Sequence, residues 1–315
     1  MTSASLREHS YFQTGGSCDD LIIPTSADQV CEALKKLSQN ATPYFVLGGG
    51  TNSLVSDEHW RGAVIVLTKL NELTAVDSSV QVGAGVENTT FAKFAHLRSL
   101  SGAEWMNRLP GRMGGTVRMN ARCYGGEISQ IVHRVFTVSP RGEKAVWLGK
   151  EVFRGYKDTA FMTNRHLVVG CDIELMAGNQ ANIAARMKHC EDDRVAKHQF
   201  EYPSCGCIFK NNYKVGVPSG VLLEGADAKL LSVGGASVSS YHANFVFNKG
   251  SNSREILELT LLMREAVWQK YGVWLEYEME VLGILPKDLQ SKFLEVRKNQ
   301  PNQGLLSTLK TNWLK

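Results

Sequence analysis

The chain has 315 residues, of which 43% are hydrophobic and 21% are charged, and its formal net charge is +4. This composition is ordinary for a globular protein of two or three domains, and no apolar run approaches the ~20 residues that a membrane-spanning helix needs. The small charge is spread along the chain, which argues against a nucleic-acid-binding protein and is compatible with a small anionic substrate.

The cysteines and the N-terminal residues indicate the cellular compartment. Seven cysteines without a regular spacing are typical of a reduced, cytoplasmic protein, and the residues from Met1 to His9 lack the apolar core of a secretory signal. The Cys205-Gly206-Cys207 stretch has no second Cys/His pair that would complete a zinc site. We therefore expect no metal, no membrane association and a cytoplasmic location. We also expect the protein to be a monomer.

The first elements in chain order form a small βαβ-like unit. Ser26 precedes apolar residues with helical spacing, so a helix is predicted with Ser26 as its N-cap. The apolar residues of this helix are Val30, Leu34 and Leu37. Strands are predicted at residues 21–24, at Tyr44–Leu47 and, fully buried, at residues 63–67.

A glycine-rich loop follows the strand Tyr44–Leu47, at the end where α/β sheets usually bind ligands. Glycine lacks a Cβ, so its backbone can adopt positive φ and approach a ligand closely, and successive N–H groups in such a turn can bind phosphate. A single loop of this kind is equally compatible with a tight connection between strands. The loop consists of Gly48, Gly49, Gly50, Thr51, Asn52 and Ser53.

A second glycine-rich stretch, further along the chain, favours ligand binding over a tight connection between strands. Two such loops suggest one phosphate-containing ligand that is held from two sides. The candidate ligand-binding residues of the second stretch are Pro110, Gly111, Gly114, Gly115 and, shortly after them, Asn120.

The middle of the chain alternates strands and helices. Residues 80–86 contain a Gly-x-Gly that lacks the third glycine of a dinucleotide-binding fingerprint, and a helix with Asn88 as its N-cap is predicted after them. The predicted core face of this helix contains Phe91, Phe94, Ala95 and Leu97. Further predicted elements are a hairpin turn at 139–142, a strand at 166–175, and a polar connecting helix at 179–197 whose residues 191–194 face solvent.

Two helices and a strand are predicted in the last part of the chain. A short helix is expected at residues 219–225, and a long helix is expected to be capped by Ser253 and ended by Gly272. A strand is predicted at 273–282, because apolar residues alternate there with three glutamates. The tail after Pro286 is basic and polar, and the sequence assigns no role to it.

Several motifs occur in the order in which one enzyme family has them. Together they resemble the UDP-N-acetylenolpyruvoylglucosamine reductases, also called UDP-N-acetylmuramate dehydrogenases, from about Phe12 to Gly283. The motifs are Gly-Gly-Gly-Thr-Asn (48–52), Pro-Gly-x-x-Gly-Gly-x-Val-x-Met-Asn-Ala (110–121), Tyr-Gly-Gly-Glu-Ile (124–128), Tyr-Lys-Asp-Thr-x-Phe (156–161), Pro-Ser-x-Gly-x-Ile-Phe-Lys-Asn (203–211), Gly-Gly-Ala-x-Val-Ser (234–239) and Leu-Glu-x-Glu (275–278).

The resemblance implies an α+β fold with a specific domain organisation. Two FAD-binding subdomains of the vanillyl-alcohol-oxidase-like type are expected at residues 1–70 and 71–195, a substrate-binding domain at 196–285, and a tail without assigned role at 286–315. It also implies the reaction, in which NADPH reduces FAD and a hydride then reaches the enolpyruvyl group of a UDP-sugar. Protonation of the neighbouring carbon yields UDP-N-acetylmuramate for peptidoglycan synthesis.

The resemblance implies that Cys207 and Glu278 are catalytic. Most family members have a serine as proton donor where this chain has Cys207. A free thiol has a pKa of about 8.5 and is mostly protonated at neutral pH, so it can donate a proton; without the motif, Cys207 is interpreted as a small buried residue. Glu278 matches the glutamate that stabilises or protonates the enol-like intermediate, whereas alternation alone does not distinguish it from Glu276 and Glu280.

Three positions depart from the family pattern. Lys157, the third catalytic candidate, stands where the family usually has an arginine that faces the substrate carboxylate, and lysine lacks the planar, bidentate guanidinium. Arg118 or Arg122 could compensate, and Arg122 itself replaces a common glycine. Glu280 adds a negative charge where the family often has a basic residue.

The resemblance also implies contacts with the UDP-sugar. Outside the motifs, a lone lysine is more often solvated, a tyrosine beside a proline more often packs, and a histidine here is equally compatible with a structural role. The candidate substrate-binding residues are Lys210, Asn211, Tyr202 and His242.

Two other functions stay open on the sequence alone. One is a related FAD oxidase that acts on another alcohol or sugar. Many such enzymes attach the flavin through a histidine, which the loop 48–53 lacks, so we expect noncovalent FAD. The other is a non-catalytic nucleotide-sugar-binding homologue, against which the presence of Glu278 and a protonatable Cys207 argues.

Overall fold

The computed structural model describes residues 4–313 and divides the chain into two compact units. The first unit consists mainly of residues 18–49 and 61–196, and the second of residues 5–17, 50–60 and 197–313. The division falls within the first glycine-rich loop, between Gly49 and Gly50. Both units combine helices with strands around cores of their own, which confirms the predicted α+β class.

The first unit is built on two larger sheets with helices beside them. The five-stranded antiparallel sheet contains, in spatial order, Lys144–Leu148, Val132–Val138, Leu167–Glu174, Ser79–Gly83 and Leu73–Val76. The four-stranded sheet contains, in order, Ala4–Ser5, Ser17–Ile22, Trp60–Val66 and Tyr44–Leu47. The helices are Ala27–Gln39, Asn88–Leu97, Met113–Arg118, Gly149–Val152, Phe161–Asn164 and Gln180–Ala196.

The beginning of this unit follows the sequence closely. Ser26 caps Ala27–Gln39, because its hydroxyl accepts a hydrogen bond from the Gln29 amide (3.3 Å), and the apolar residues of the helix are buried. The strand Tyr44–Leu47 pairs in parallel with the largely buried strand Trp60–Val66. The first glycine-rich loop therefore starts at the carboxyl end of a parallel pair, as predicted.

Other predicted boundaries in the first unit need correction. The strand predicted at 21–24 lies earlier, at Ser17–Ile22. Glu87, not Asn88, is the N-cap of its helix, since Asn88 already has helical backbone and its side chain accepts a hydrogen bond from the Thr116 hydroxyl (2.8 Å). Leu97, the last residue of that helix, is exposed instead of facing the core.

Arg194 was predicted to face solvent, and this is wrong. Its side chain is buried on the helix Gln180–Ala196, where the guanidinium lies over the Tyr124 ring (4.9 Å) and donates to the Cys123 sulfur (3.2 Å). The run of charged residues 191–194 does not indicate that Arg194 is buried. Its burial depends on Tyr124 and Cys123, which are distant in the chain.

The second unit combines small sheets with long helices. Its three-stranded antiparallel sheet contains, in order, Ser232–Val233, Ala236–Val238 and Val246–Asn248. Ser53–Val55 and Glu280–Leu282 form a separate parallel pair. The helices are Ser219–Gly225, as predicted, Ser253–Tyr271, Lys287–Leu294 and Gln303–Trp313.

The long helix Ser253–Tyr271 differs from the prediction only at its start. Asn252, one residue before the predicted cap Ser253, is the N-cap and accepts a hydrogen bond from the Glu255 amide (2.9 Å). Gly272 ends the helix with φ 65°, a left-handed conformation that glycine adopts without strain.

The strand predicted at 273–282 is wrong over most of its length. Only Glu280–Leu282 is a strand. Val273, Trp274 and Leu275 are all buried, so the alternation that predicted a half-buried strand is interrupted at Trp274. The tail contacts Trp274 directly, since the Trp274 indole donates to the Glu295 carbonyl (2.9 Å).

The tail after Pro286 is an integral part of the second unit. Its two helices each place a leucine, Leu289 and Leu306, in the core cluster of this unit. Among residues 4–313, the longest helices are too polar or too short to span a membrane.

Candidate active site

The two outer glycines of the first glycine-rich loop have different surroundings. Gly50 has φ 64°, and a Cβ at this position would lie 2.4 Å from the carbonyl oxygen of His9, so only glycine fits. A Cβ on Gly48 would meet no atom within 4 Å among the described residues. Gly50 is thus required for the backbone conformation of the second unit. Gly48, in the first unit, leaves space for a ligand to approach its backbone.

The second glycine-rich loop is held against residues 84–88 of the first unit. The amides of Met113 and Gly114 donate to the carbonyls of Val86 and Ala84, each at 2.9 Å. A Cβ on Gly114 would lie 2.9 Å from the Ala84 Cβ, which makes Gly114 a packing glycine. A Cβ on Gly115, like one on Gly48, would meet no atom of the described residues within 4 Å.

Asn120 offers a buried hydrogen-bond acceptor at the end of this loop. Its side-chain nitrogen donates to the Glu127 carboxylate (2.8 Å) and to the Gly155 carbonyl (2.9 Å). Its side-chain oxygen is buried and accepts no hydrogen bond from the described residues. A buried acceptor without a donor is costly, so this oxygen indicates a ligand that supplies an N–H or O–H group.

Lys157 lies at the tip of a hairpin next to the same loop. The hairpin strands are Phe153–Gly155 and Asp158–Thr159, and Lys157 has φ 52°, in the left-handed region. The Thr159 hydroxyl donates to the Arg118 carbonyl (2.7 Å), and this bond ties the hairpin to the loop. Lys157 is thereby held in place by main-chain geometry.

Arg122 lies close to this hairpin. Its guanidinium is 5.3 Å from the centre of the Tyr156 ring and 3.7 Å from a Glu127 carboxylate oxygen. Tyr156 directly precedes Lys157 in the chain. Arg122 therefore lies beside the residue that precedes Lys157. Both Arg122 and Lys157 depart from the family pattern.

In the second unit, the structure brings Cys207 and Glu278 together. The Glu278 amide donates to the carbonyl of Ile208, the residue after Cys207 (2.8 Å). Burial raises the pKa of the Cys205 thiol, and the nearby Cys207 and Glu278 raise it further. Cys207 itself forms an antiparallel bridge with Phe245, so its backbone is fixed on both sides.

Asn52 and Ser53, predicted as cofactor-binding, also hold the segment that carries Glu278. The Asn52 side-chain nitrogen donates to the Glu278 carbonyl (2.9 Å), and the Glu280 amide donates to the Asn52 carbonyl (3.0 Å). Ser53 is the register partner of Glu280 in the parallel pair. Of the three glutamates, Glu276 is exposed, whereas the other two are half-buried.

Asn244 is a site residue that the sequence reasoning missed. Its side chain accepts from the Phe209 amide (2.9 Å) and donates to the Phe209 carbonyl (2.8 Å), and its own carbonyl accepts from the Ile208 amide (2.9 Å). Asn244 therefore fixes the backbone just after Cys207. The available signal was a single amide in the otherwise apolar run from Ala243 to Phe247.

Lys210 and Asn211 follow directly in the chain. The Ser219 amide donates to the Asn211 side-chain oxygen (2.9 Å), and the Ser219 hydroxyl donates to the Lys210 carbonyl. The Lys210 amide donates to the Glu276 carbonyl (2.9 Å). Asn211 thus has a structural contact at the start of helix Ser219–Gly225, in addition to the substrate contact predicted for it.

The other two substrate-binding candidates have distinct surroundings. Burial lowers the pKa of His242, and its Nδ1 accepts a hydrogen bond from the Asn244 amide (3.3 Å). Nε2 is therefore the ring nitrogen that can donate a hydrogen bond to a ligand. Tyr202 is exposed and packs against Phe247 (5.7 Å) and under the Lys249 ammonium (4.8 Å).

Comparison with known proteins places these features in a family. Residues 198–282 match the model of the UDP-N-acetylenolpyruvoylglucosamine reductase C-terminal domain, and residues 19–146 match that of an FAD binding domain. The UDP-N-acetylenolpyruvoylglucosamine reductase of Carboxydothermus hydrogenoformans is 34% identical over 281 residues, 88% of this chain and 92% of that protein. The chain belongs to the UDP-N-acetylenolpyruvoylglucosamine reductase family.

Further relatives agree with this assignment. The reductase of Treponema denticola is 36% identical over 290 residues, 86% of this chain and 90% of that protein. The crystal structure of the reductase from Thermus caldophilus matches with a TM-score of 0.74 and 28% identity, over 88% of this chain and 97% of that one. The predicted family is thereby confirmed.

The residues of the first unit fit the FAD that this family's FAD-binding domain implies. The open α-carbons of Gly48 and Gly115 let the backbone approach a diphosphate, and the buried Asn120 oxygen can accept a hydrogen bond from a flavin or ribityl group. The cofactor contacts predicted for Gly49, Thr51, Pro110 and Gly111, like those of the other loop residues, stay predictions.

Alanine substitutions at Gly48 and Gly50 should separate cofactor binding from folding. We expect Gly48→Ala to leave the melting temperature of the apoprotein unchanged and to weaken FAD binding about tenfold or more, because an inserted methyl group costs ~1–3 kcal/mol where it is not accommodated. Gly50→Ala should lower the apoprotein melting temperature, since left-handed backbone alone costs ~1–2 kcal/mol. Fluorescence titration with FAD and thermal unfolding measure the two effects; a Gly48→Ala variant with normal FAD affinity would contradict the assignment.

Proposed function

We propose that this chain is an FAD-dependent oxidoreductase that uses NADPH to reduce the enolpyruvyl group of UDP-N-acetylglucosamine enolpyruvate. The product is UDP-N-acetylmuramate, a precursor of peptidoglycan, so the enzyme serves cell-wall synthesis and hence cell shape and division. The observation that carries this proposal is the pairing of Cys207 with Glu278 on adjacent, hydrogen-bonded segments, in a chain that belongs to the reductase family.

The first unit supplies cofactor-binding groups. Gly48, Gly115 and Asn120 are the residues whose surroundings favour contact with FAD, and the loop without histidine favours noncovalent binding. Bound FAD supplies the transfer of a hydride from NADPH to the vinyl carbon of the substrate. We further propose FAD-binding subdomains at 1–70 and 71–195 and a substrate-binding domain at 196–285. The match over 198–282 supports the substrate-binding domain, and the match over 19–146 supports FAD binding in the residues before it.

Cys207 and Glu278 complete the reduction of the double bond. After the hydride has reached the terminal vinyl carbon, negative charge develops on the neighbouring carbon and its carboxylate. The Cys207 thiol donates its proton to that carbon, and the resulting thiolate is reprotonated from water. Glu278 helps to stabilise or protonate the enol-like intermediate, and the Asn52 and Ile208 contacts hold the backbone of Glu278 in place.

Lys157 supplies the positive charge that the substrate carboxylate requires, and Arg122 stands close enough to Tyr156 to assist it. For the UDP-sugar, Lys210 and His242 are candidate donors to diphosphate or sugar oxygens. Asn211, next to Lys210, and Tyr202, directly before the motif at 203–211, are the other candidates.

Replacement of Lys157 by arginine should preserve or improve activity. Arginine keeps the charge and restores the bidentate geometry for a carboxylate, so we expect kcat to stay within about twofold of wild type or to rise, and Lys157→Met to lose activity. Steady-state NADPH oxidation with the enolpyruvyl substrate measures both. A large loss in Lys157→Arg would mean that the pocket is adapted to lysine.

The remaining parts of the proposal concern the state of the protein in the cell. None of the seven cysteines, all of which lie in the described part of the chain, forms a disulfide, and this supports a reducing, cytoplasmic location. The small net charge supports a protein without nucleic acid or membrane partners, and we propose that it acts as a monomer. Analytical ultracentrifugation tests the last point.

The proposed reaction is tested by NADPH oxidation with two related nucleotides. UDP-N-acetylglucosamine enolpyruvate should support continuous NADPH consumption with stoichiometric formation of UDP-N-acetylmuramate, identified by mass spectrometry. UDP-N-acetylglucosamine, which lacks the double bond, should not. Binding of the enolpyruvyl nucleotide without turnover would indicate a non-catalytic homologue, and turnover with a simple alcohol instead would indicate a related oxidase.

A further inference from the structure

The tail beyond the matched family domain returns to the segment that precedes Glu278. The family model ends at residue 282, whereas the chain continues through the helices Lys287–Leu294 and Gln303–Trp313. Between these helices, the Asn299 side chain accepts from the Trp274 amide (2.6 Å), and the Glu295 carbonyl accepts from the Trp274 indole (2.9 Å). The tail therefore lies along the residues that lead into the catalytic motif.

A buried arginine joins the tail to this segment. Arg264 is 3% exposed, and its guanidinium donates to the carbonyls of Phe293 (3.3 Å) and Lys292, in the last turn of the first tail helix. These carbonyls have no intrahelical partners, so a cation is a favourable partner for them. The same guanidinium lies over the rings of Trp274 (4.2 Å) and Tyr277 (4.6 Å).

Tyr277 is enclosed between an aromatic ring from the tail and one from the catalytic motif. Its ring is 4.6 Å from that of Phe293 and 4.9 Å from that of Phe209. Its hydroxyl forms a hydrogen bond with the Thr260 hydroxyl (3.2 Å). Tyr277 directly precedes Glu278, and Phe209 lies two residues after Cys207, so the Tyr277 ring contacts both catalytic segments.

We propose that the tail is a positioning element for Glu278, acting through Phe293, Arg264 and Tyr277. This role rests on the proposed function. The Glu278 backbone is held by Asn52 and Ile208, and the contacts of the tail fix the adjacent residue from another direction. Loss of the Phe293 ring would let Tyr277 shift, and a displacement of a catalytic group by ~1 Å can reduce a rate about 10²-fold.

The expected effect is confined to one half of the catalytic cycle. Reduction of FAD by NADPH does not require Glu278, whereas reduction of the enolpyruvyl substrate does, because it passes through the enol-like intermediate on which Glu278 acts. In Phe293→Ala we therefore expect an unchanged rate of flavin reduction and a rate of reoxidation by UDP-N-acetylglucosamine enolpyruvate that is lower by about tenfold to a hundredfold. Phe293→Tyr, which retains the ring, should reoxidise at the wild-type rate.

Leu306→Ala is the matched control, because Leu306 is a buried tail residue outside the Phe293–Tyr277 contact. It should lower the melting temperature and leave both half-reactions unchanged. Anaerobic stopped-flow absorbance of the FAD-loaded full-length variants measures each half-reaction, with melting temperatures recorded in parallel.

The outcomes separate this role from a purely structural one. Wild-type reoxidation in Phe293→Ala, or an equal loss in Phe293→Ala and Leu306→Ala, would overturn the positioning role while leaving the proposed function intact. A wild-type enzyme that NADPH reduces but that the enolpyruvyl substrate does not reoxidise would refute the proposed function, and this role with it.

Discussion

Cys207→Ala should let NADPH reduce the flavin at the wild-type rate and should lower overall turnover by about 10²–10⁴-fold, the usual contribution of a general acid. The reason is that hydride transfer leaves a carbanion that needs a proton at one carbon, and alanine has none to give. Cys207→Ser should stay active, because a hydroxyl at the same position is also protonated. Single-turnover reduction and steady-state NADPH oxidation distinguish the two effects.

Cys205 provides the control for this experiment. It lies two residues before Cys207 in the same motif but is fully buried, and burial raises the pKa of its thiol. Cys205→Ala should therefore turn over like wild type, with at most a lower melting temperature from the small cavity. If Cys207→Ala also turned over like wild type, the sulfur of residue 207 would have no part in the mechanism.

Glu278→Gln should lower turnover about 10²-fold or more while leaving the fold intact. Glutamine leaves the two main-chain contacts of residue 278 unchanged: Asn52 binds the carbonyl and Ile208 binds the amide. Glutamine keeps the shape of the side chain and removes its charge and its acidity. The measurement is kcat with the enolpyruvyl substrate, compared with the rate of flavin reduction by NADPH, which should not change.

Glu276→Gln is the corresponding control. Glu276 belongs to the same motif and is exposed, and its backbone carbonyl accepts a hydrogen bond from the Lys210 amide. We expect it to retain wild-type kcat. Equal losses in both variants would mean that the negative charge of the segment, and not the position of one carboxylate, is what matters.

The sequence predicted the parts of this protein that depend on local chemistry. Ser26 before a helical apolar pattern, glycines after the strand Tyr44–Leu47, and Gly272 at the end of the long helix all act through their immediate neighbours in the chain. The family was also predictable, because its motifs combine many such local requirements in a fixed order.

What the sequence did not predict depends on contacts between distant residues. Asn52 reads as a phosphate-loop residue, yet its side chain holds the carbonyl of Glu278, more than two hundred positions away. Arg194 is predicted to be solvent-exposed because its partners Tyr124 and Cys123 are distant in the sequence. The polar composition of the tail likewise conceals the few apolar residues, such as Phe293, that pack against Tyr277.

The most direct test of this account is the anaerobic reoxidation of the NADPH-reduced, FAD-loaded protein by UDP-N-acetylglucosamine enolpyruvate. We expect the absorbance of oxidised flavin to return within one turnover, with one equivalent of UDP-N-acetylmuramate formed. A flavin that stayed reduced after addition of this substrate, or a purified protein unable to bind FAD at all, would contradict the account.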